Sequence, residues 1–230
     1  MKLPAVIERA AAEAFFPEPL IKAPVRRKLL TIFHSTHGGT FVGEASALLR
    51  SSGYEGGTAL RGSLRDVAGE GRLTLFAKTV RSLQSNFQWW LSGLDEDALS
   101  AYPAQELVCV CPDLPEPFDW KERWASLGGR VVNGRLVALK WDDIWTKASV
   151  FELPWSPFQL GSGYDVEDID EEEARSLGFK IPKAFKVTID TSWSIETLRS
   201  RFSAALDDKI TRPPLLVKPP VLKPPLLKPY

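Results

Sequence analysis

The segment "GSGYDVEDIDEEE" brings several carboxylates close together in the chain, among them those of Asp165, Glu167, Asp168 and Asp170. Carboxylate oxygens bind Ca²⁺ and Mg²⁺ and also act as general acids and bases. A calcium loop of the EF-hand type has glycine at its sixth position, and counted from Asp165 that position is Asp170. The spacing therefore does not fit such a loop.

The same acids fit the start of a short helix. Asp170 is a good N-cap, and Glu173 follows at the third position of a capping box. The acids between them favour the positive end of the helix dipole, and Gly178 suits the helix end. We therefore predict a capped helix at residues 171–177 and no metal site.

Few other residues have the types and spacing of a reaction centre. His34 and His37 are three positions apart, but no nearby acid or cysteine completes a set of metal ligands. Phosphate-binding loops, nucleophile elbows and zinc-protease motifs are absent from the sequence. We predict no catalytic residue, no metal ligand and no cofactor, and hence a protein that is not an enzyme.

The two cysteines, Cys109 and Cys111, are separated by one residue in "LVCVC". On a strand both side chains would point to the same face, and they are too close in sequence to link distant segments. We predict that both are buried thiols.

One long helix is predicted to position the other elements. Its apolar residues recur at alternating spacings of three and four, the period of an amphipathic helix: Leu73, Phe76, Val80, Leu83, Phe87 and Trp90. The opposite face carries polar residues: Arg72, Lys78, Arg81, Ser85 and Gln88. A helix at residues 70–92 is therefore expected to form the spine of the fold.

Three shorter helices are expected before the spine, at residues 4–16, 25–35 and 42–51. The second of them is expected to stop at the glycine pair in "THGGT". Prolines between the first and second helices hold the chain extended. The first part of the chain is thus predicted to be helical.

The pattern becomes mixed after the spine. "ELVCVC" is typical of a strand, "DWKERWASLGG" of a helix, and Asn133-Gly134 of a type I′ hairpin turn. A strand in "FKVTID" and a helix at residues 195–207, capped by Ser194 or Thr191, are expected to follow. Helices first and mixed elements afterwards predict an α+β fold.

The tryptophans are numerous, and several are spaced by one helical turn. Trp120 and Trp124 form one such pair, and Trp141 and Trp145 form another. Exposed tryptophans between basic residues can stack on nucleic-acid bases. Because these pairs lie beside other apolar residues, we predict packing in the core or at an interface.

The predicted organisation has three portions: a helical portion at 1–100, a mixed α+β portion at 101–208 and an extended tail at 209–230. The tail repeats a Pro-Pro, aliphatic, Lys unit and contains no acid, so it favours polyproline II and cannot form a core. We predict that the tail binds a partner through its prolines, lysines and terminal tyrosine: Pro213, Pro214, Lys218, Pro219, Pro220, Lys223, Pro224, Pro225, Lys228 and Tyr230.

Composition excludes several functional classes. Lys plus Arg and Asp plus Glu each number 29 in the 230 residues, so no overall field draws the chain to nucleic acid or anionic lipid. No apolar run has the length of a membrane helix, and Glu8 and Glu13 interrupt the first apolar stretch, unlike in a signal peptide. We expect synthesis in a cytoplasm and no membrane partner, with any DNA contact confined to the basic tail.

The segment "ELPWSPFQLGSG", residues 152–163, precedes the acids and is here named the corner. Its prolines fix the backbone, its aromatic residues provide buried anchors, and its glycines allow a tight reversal. We predict that the corner is architecture rather than a reaction centre. The residues that define it are Pro154, Trp155, Pro157, Phe158, Gly161 and Gly163.

These segments, taken in order, resemble the C-terminal half of the Mu F-like minor head proteins of phages, also called head morphogenesis proteins. The resemblance covers residues 60–180 and includes "GRLTLFAKTVRSLQSNFQWWLSG", "YPAQELV", "DWKERWASLGGR", "GRLVALKWDDIW" and "LPWSPFQLGSGYDVEDIDEEEARSLGF". The chain departs from the family's pattern at Lys78, Thr79 and Val80, where Arg-Thr-Asn is expected, at Tyr164, where methionine is common, and in its tail.

The resemblance implies a structural role. Similar proteins are present in few copies in the phage head, at the portal vertex, and are needed to assemble heads that deliver DNA. For this chain the resemblance implies a virion protein, made in the host cytoplasm, that binds the portal or major capsid protein in an assembly of several copies. Its tail would then contact a neighbouring subunit or packaged DNA. The resemblance carries over no catalytic residue.

Two other functions stay open from the sequence. One is a metal-dependent enzyme or toxin-like effector carried in the particle, which would act on nucleic acid or nucleotide with an ion at Asp165, Glu167, Asp168 and Asp170. The other is a free cytoplasmic adaptor whose tail is a ligand of an SH3-like domain. A bound ion would favour the first, and a monomer with a mobile tail would favour the second.

Overall fold

The computed structural model describes residues 3–18, 20–54, 60, 62–113, 119–182, 187 and 193–212. Within these residues the helices are α1 Leu3–Phe15, α2 Ala23–Ser35, α3 Gly38–Ser51, α4 Glu70–Ser92, α5 Glu96–Ala101, α6 Trp120–Ser126, α7 Ile144–Ala148, α8 Glu171–Ser176 and α9 Ile195–Thr211. The strands are β1 Ala104–Cys109, β2 Val131–Val132, β3 Arg135–Leu139 and β4 Tyr164–Ile169. The chain is an α+β fold, which confirms the predicted fold class.

The predicted spine is α4, and its apolar stripe faces the helical core. The side chains of the stripe are buried except for that of Phe87, which is half-buried. Phe76 lies among Phe15, Phe16, Phe33 and Phe41, whose ring centroids are 5.2 to 6.1 Å from its own. Because α1 and α3 pack against α4, the spine organises the helical layer.

Arg72 was predicted on the polar face of the spine, and this prediction is wrong. Its residue is only 6% exposed, and its guanidinium donates hydrogen bonds to the carbonyls of Phe15, at 2.8 Å, and Leu64, at 2.7 Å. Phe15 ends α1, where carbonyls lack partners within the helix. Burial lowers the pKa of Arg72 to about 10, so the side chain is still charged at neutral pH.

Arg81, also on α4, has a similar role at the end of α2. Its guanidinium donates to the carbonyl of Thr36 at 2.7 Å and lies over the ring of Phe33. Thr36 is the residue that follows α2, so Arg81 satisfies the end of that helix. Two arginines of the spine, Arg72 and Arg81, thus hold the ends of α1 and α2.

The glycine pair in "THGGT" does not stop a helix as predicted. Helix α2 ends at Ser35, and Gly38 and Gly39 instead form the first turn of α3. The residues between the helices are Thr36 (φ −129°, ψ 164°) and His37 (φ −129°, ψ 150°), both extended, and His37 occupies the N-cap position of α3 without a side-chain hydrogen bond. The break therefore depends on two extended residues and on Gly38, whose φ of 50° favours glycine.

The last helix returns to the helical layer. Helix α9 packs against α1, and its buried residues Leu198, Phe202 and Leu206 belong to the same apolar core as α4. Ser194 caps the helix by accepting a hydrogen bond from the amide of Thr197 at 3.0 Å, which confirms one of the two predicted caps. The other candidate, Thr191, lies outside the described residues.

The sheet is antiparallel, with strand order β2-β3-β1-β4. The turn between β2 and β3 is confirmed, since Asn133 (φ 52°) and Gly134 (φ 84°) both have the positive φ that a type I′ turn requires. Strand β4 was not predicted, because its alternating acids conceal the pattern of a strand. It lies at the edge of the sheet, where charged residues are tolerated. The strand predicted in "FKVTID" lies, but for Val187, outside the described residues.

We expect Arg72→Met to lower the free energy of unfolding by about 2 to 4 kcal/mol, because methionine keeps the apolar stem and removes both donors from two largely enclosed carbonyls. Urea denaturation followed by circular dichroism measures this loss. Arg9→Met is the matched control, since the Arg9 side chain is 60% exposed and forms only a salt bridge with Glu13 on the same helix. Equal, small losses for both variants would contradict the structural role of Arg72.

Candidate functional site

The ten tail residues predicted to bind a partner all lie in 213–230, outside the described residues. The description ends at Arg212, which follows α9 in an extended conformation (φ −81°, ψ 125°). This is the conformation expected of a residue before a proline. Of the tail predicted at 209–230, residues 209–211 are therefore helical rather than extended, because α9 continues to Thr211, and Arg212 is extended.

The corner joins two separate cores. Trp155 is buried in the helical core beside α4, together with Leu153 and Leu160. Phe158, only three residues further, is buried in a second core beneath the sheet, where its ring stacks on that of Trp145 at 5.8 Å. The two aromatic anchors of the corner thus hold different layers of the molecule.

Buried hydrogen bonds connect the spine to the sheet through the corner. The indole N–H of Trp155 donates to the carbonyl of Leu83 on α4 at 3.0 Å. The side-chain amide of Asn86, also on α4, donates to the carbonyl and hydroxyl oxygens of Ser156, at 3.0 and 2.7 Å. The Ser156 hydroxyl in turn donates to Asp165 on β4. One continuous chain of contacts therefore runs from helix to strand.

Helix α9 fixes the two ends of the corner. Arg201 pairs with the carboxylate of Glu152, whose φ of 51° is unusual for a residue with a side chain. Lys209 donates to the carbonyl of Leu160 at 2.7 Å. Gly161 requires glycine because its φ is 63° and because a Cβ there would lie 3.2 Å from the Lys209 ammonium. The Ser156–Pro157 peptide bond between these ends is cis.

The carboxylates that were considered as metal ligands do not converge. Successive strand residues point to opposite faces, so β4 directs Asp165 and Glu167 away from Asp168. Asp168 accepts hydrogen bonds from the ammonium of Lys140, at 2.9 Å, and from Gln105. In the part of the chain that the structure describes, no three His, Cys, Asp or Glu side chains are grouped so that they could hold a metal ion.

The predicted cap of α8 is confirmed in part. Asp170 accepts a hydrogen bond from the amide of Glu173 at 2.8 Å, and Gly178 ends the turn with a φ of 81°. The Glu173 carboxylate does not reach back to complete a capping box. It pairs instead with Arg135, which also binds Glu106 and whose pKa is raised by these two partners. The acids after the corner therefore serve the helix and the sheet.

The prediction that the cysteines are buried is wrong. Cys109 and Cys111 are both exposed free thiols. Cys109 is the last residue of β1, and Cys111 follows the strand, so neither is covered by the layers that pack on the sheet. His34 and His37 also have separate surroundings, because His34 lies 2.8 Å from the carboxylate of Glu8 and His37 occupies the N-cap position of α3.

A cavity of about 420 Å³ lies where the end of α4, the start of α9, the corner and the segment after β3 meet. The residues that give it its chemical character are Trp90, Trp141, Trp193, Asp142, Pro154 and Arg201. Burial raises the pKa of Asp142, whose carboxylate accepts a hydrogen bond from the amide of Leu139 at 3.0 Å. The cavity therefore combines three indole rings with charged groups.

The indole N–H of Trp90 is enclosed but has no hydrogen-bond partner. Trp90 is 7% exposed, and its Nε1 is the one buried side-chain nitrogen or oxygen without a partner in the described part of the chain. By contrast, Trp124 donates to Arg130 at 3.0 Å and Trp145 donates to Leu139 at 2.8 Å. Buried tryptophans usually find an acceptor. Sequence reasoning missed this site, for which the only local signal is Trp90 at the end of the apolar stripe.

Comparison with known proteins adds no relative, since no family model, no curated protein and no solved structure matches the chain. The resemblance to Mu F-like minor head proteins therefore stays a hypothesis. Among the described helices, none is both long and apolar enough to span a bilayer. The proposals that follow depend on the geometry of the corner and of the cavity.

We expect Ser156→Ala to lower the free energy of unfolding by about 1 to 3 kcal/mol, because it leaves the half-buried polar groups of Asn86 and Asp165 without their shared partner. Adding Asn86→Ala should then cost less than it does alone, since both changes break one network. Urea denaturation of the single and double variants measures this coupling. Ser85→Ala, at an exposed position of the same helix, is the control and should change stability by less than about 0.5 kcal/mol. Strictly additive losses would contradict a connected network.

Proposed function

We propose that the protein is a structural minor head protein of a tailed phage or phage-like particle, bound at the portal or the inner capsid wall. The observation that carries this proposal is the role of the corner, which is the most specific part of the resemblance. Trp155 and Phe158 anchor it in two cores, and Ser156 ties it to helix and strand. The use of the corner as a structural connection supports a function in which the protein holds other polypeptides in place.

The use of the neighbouring acids supports the same function. Asp165 binds Ser156, Asp168 binds Lys140, and Asp170 caps α8. Each of these contacts is architectural, and each occupies a carboxylate that a divalent ion would need. Among the residues that the structure describes, no specific contact favours a metal-dependent enzyme or effector, so that alternative is an outcome of the metal titration below.

The end of the spine offers a surface for a partner. Trp89, Leu91 and Tyr102 are 43%, 39% and 47% exposed, and Lys140 lies about 6 Å from the rings of Trp89 and Tyr102. Exposed apolar groups close together mark interaction sites. We assign this surface to contacts within the assembly, with the portal or the major capsid protein as its partners.

Purified particles should contain the protein in few copies relative to the major capsid protein, and quantitative mass spectrometry measures this ratio. Trp89→Ser and Leu91→Ser together should lower incorporation several-fold, because they remove apolar area from the surface that a partner would cover. Arg9→Ser is the control for a surface change on another helix. Recovery of the protein only outside the particles would contradict the proposed function.

Calorimetric titration of the purified protein with Mg²⁺, Mn²⁺ or Ca²⁺ should give no heat of binding, because the carboxylates of β4 point to different faces and those of Asp165 and Asp168 are already engaged. If a binding heat is observed, the variant Asp168→Asn tests whether it depends on the carboxylates of β4. A one-to-one binding heat that this variant abolishes would contradict the architectural role of the acids and favour the virion-carried effector.

A further inference from the structure

The cavity beside Trp90 has the features of a site that recognises polyproline II. A polyproline II segment has no internal hydrogen bonds, so its carbonyls are free to accept. Sites for such segments are grooves lined by aromatic rings. Here Trp90, Trp141 and Trp193 line the cavity, and the buried N–H of Trp90 has no partner. This donor lies on a residue of the cavity wall, and a shift of the Trp90 ring edge that exposes it would let a peptide carbonyl accept its hydrogen bond.

Packing against Trp155 holds two rings of this site, those of Trp90 and Trp193, in place before any ligand arrives. The ring centroid of Trp155 lies 5.0 Å from that of Trp90 and 5.5 Å from that of Trp193. Trp155 is itself fixed by its hydrogen bond to Leu83. Because a preorganised site loses little side-chain entropy on binding, these rings can contribute most of their contact energy.

The charges of the site favour a basic ligand. Asp142, Asp143 and Glu152 all line the cavity. The two cations that line it are already paired, Lys140 with Asp168 and Arg201 with Glu152. Asp143 pairs with Lys147 outside the lining, so among the described residues Asp142 is the lining carboxylate without a salt bridge. Burial raises the pKa of Asp142, so an incoming ammonium would stabilise the charged carboxylate.

The chain contains a segment that matches these requirements. Residues 213–230 consist of proline pairs, aliphatic residues and lysines, with no acid. In polyproline II they would span about 56 Å, at about 3.1 Å for each residue. A cavity of about 420 Å³ falls within the size of ordinary ligand sites and can take a few residues of such a segment.

We propose that the cavity beside Trp90 binds polyproline II and that its occupant is the proline-rich tail, residues 213–230, of a second copy of this chain. The Trp90 indole donates to a tail carbonyl, tail prolines pack between the indole rings, and a tail lysine lies beside Asp142. This inference rests on one part of the proposed function, namely that the tail contacts a neighbouring subunit.

The position of α9 favours a second copy over the molecule's own tail. Thr197 and Arg201, near the start of α9, line the cavity, whereas the helix continues to Thr211. At about 1.5 Å for each residue, the tail begins about 15 Å beyond Arg201. Arg212 is extended and two prolines follow it, so an immediate reversal towards the cavity is disfavoured. A head-to-tail contact of this kind builds rings or filaments.

The test uses the purified full-length chain, without particles, so that its failure leaves the proposed function open to its own test. Sedimentation velocity over a range of protein concentrations should show reversible association. Trp90→Phe, which keeps the ring and removes the N–H, should weaken association at least tenfold. Trp124→Phe is the matched control, because its indole donates within the sheet core, and it should change association less than twofold.

Two further measurements identify the occupant. A synthetic peptide of residues 213–230 should dissociate the assembly, whereas the same peptide with its prolines changed to alanine should not. In two-dimensional NMR the indole N–H resonance that Trp90→Phe removes should shift as association proceeds. A chain that stays monomeric at all concentrations, or an assembly that neither Trp90→Phe nor the tail peptide affects, would overturn the proposal.

Discussion

The division of the corner's aromatic anchors between two cores is the constraint on which the rest of the structure depends. Trp155 and Phe158 are three residues apart, yet one packs against α4 and the other against Trp145 beneath the sheet. The backbone between them cannot move without opening both cores. Helices and sheet are therefore expected to be stable together, with the end of α4 and the start of α9 held at a fixed separation.

At the end of α4, that fixed separation also leaves a buried polar group without a hydrogen-bond partner. Around the corner, the polar groups of Ser156, Asn86 and Trp155 are all satisfied by neighbours. The N–H of Trp90 is not, and an enclosed donor without an acceptor costs about 1 to 3 kcal/mol. A protein that works by binding other chains can recover this cost when a partner supplies the acceptor. The framework and the proposed binding site are thus two consequences of the same packing.

Features that depend on neighbours in sequence could be predicted, and features that depend on distant neighbours could not. The stripe of α4, the turn at Asn133 and the cap at Asp170 follow from local periods and local hydrogen bonds. The burial of Arg72 depends on a carbonyl of Phe15, which is 57 positions away. Strand β4 is defined by its pairing with β1 rather than by its own acidic pattern. The cavity is lined by segments that are far apart in the chain, so no local sequence motif predicts it.

Native-state hydrogen exchange measures most directly whether the corner makes one framework of the two layers. The amide of Val150 donates to the carbonyl of Phe158 at 2.8 Å and so reports on closure of the corner. Hydrogen exchange gives a free energy of opening for each amide. The account predicts that this value equals the free energy of global unfolding for the Val150 amide, for the core amides of α4 and for those of β1. A much lower free energy of opening for the amides of Val150 and β1 than for those of α4 would contradict the account, because the sheet would then open independently of the helices.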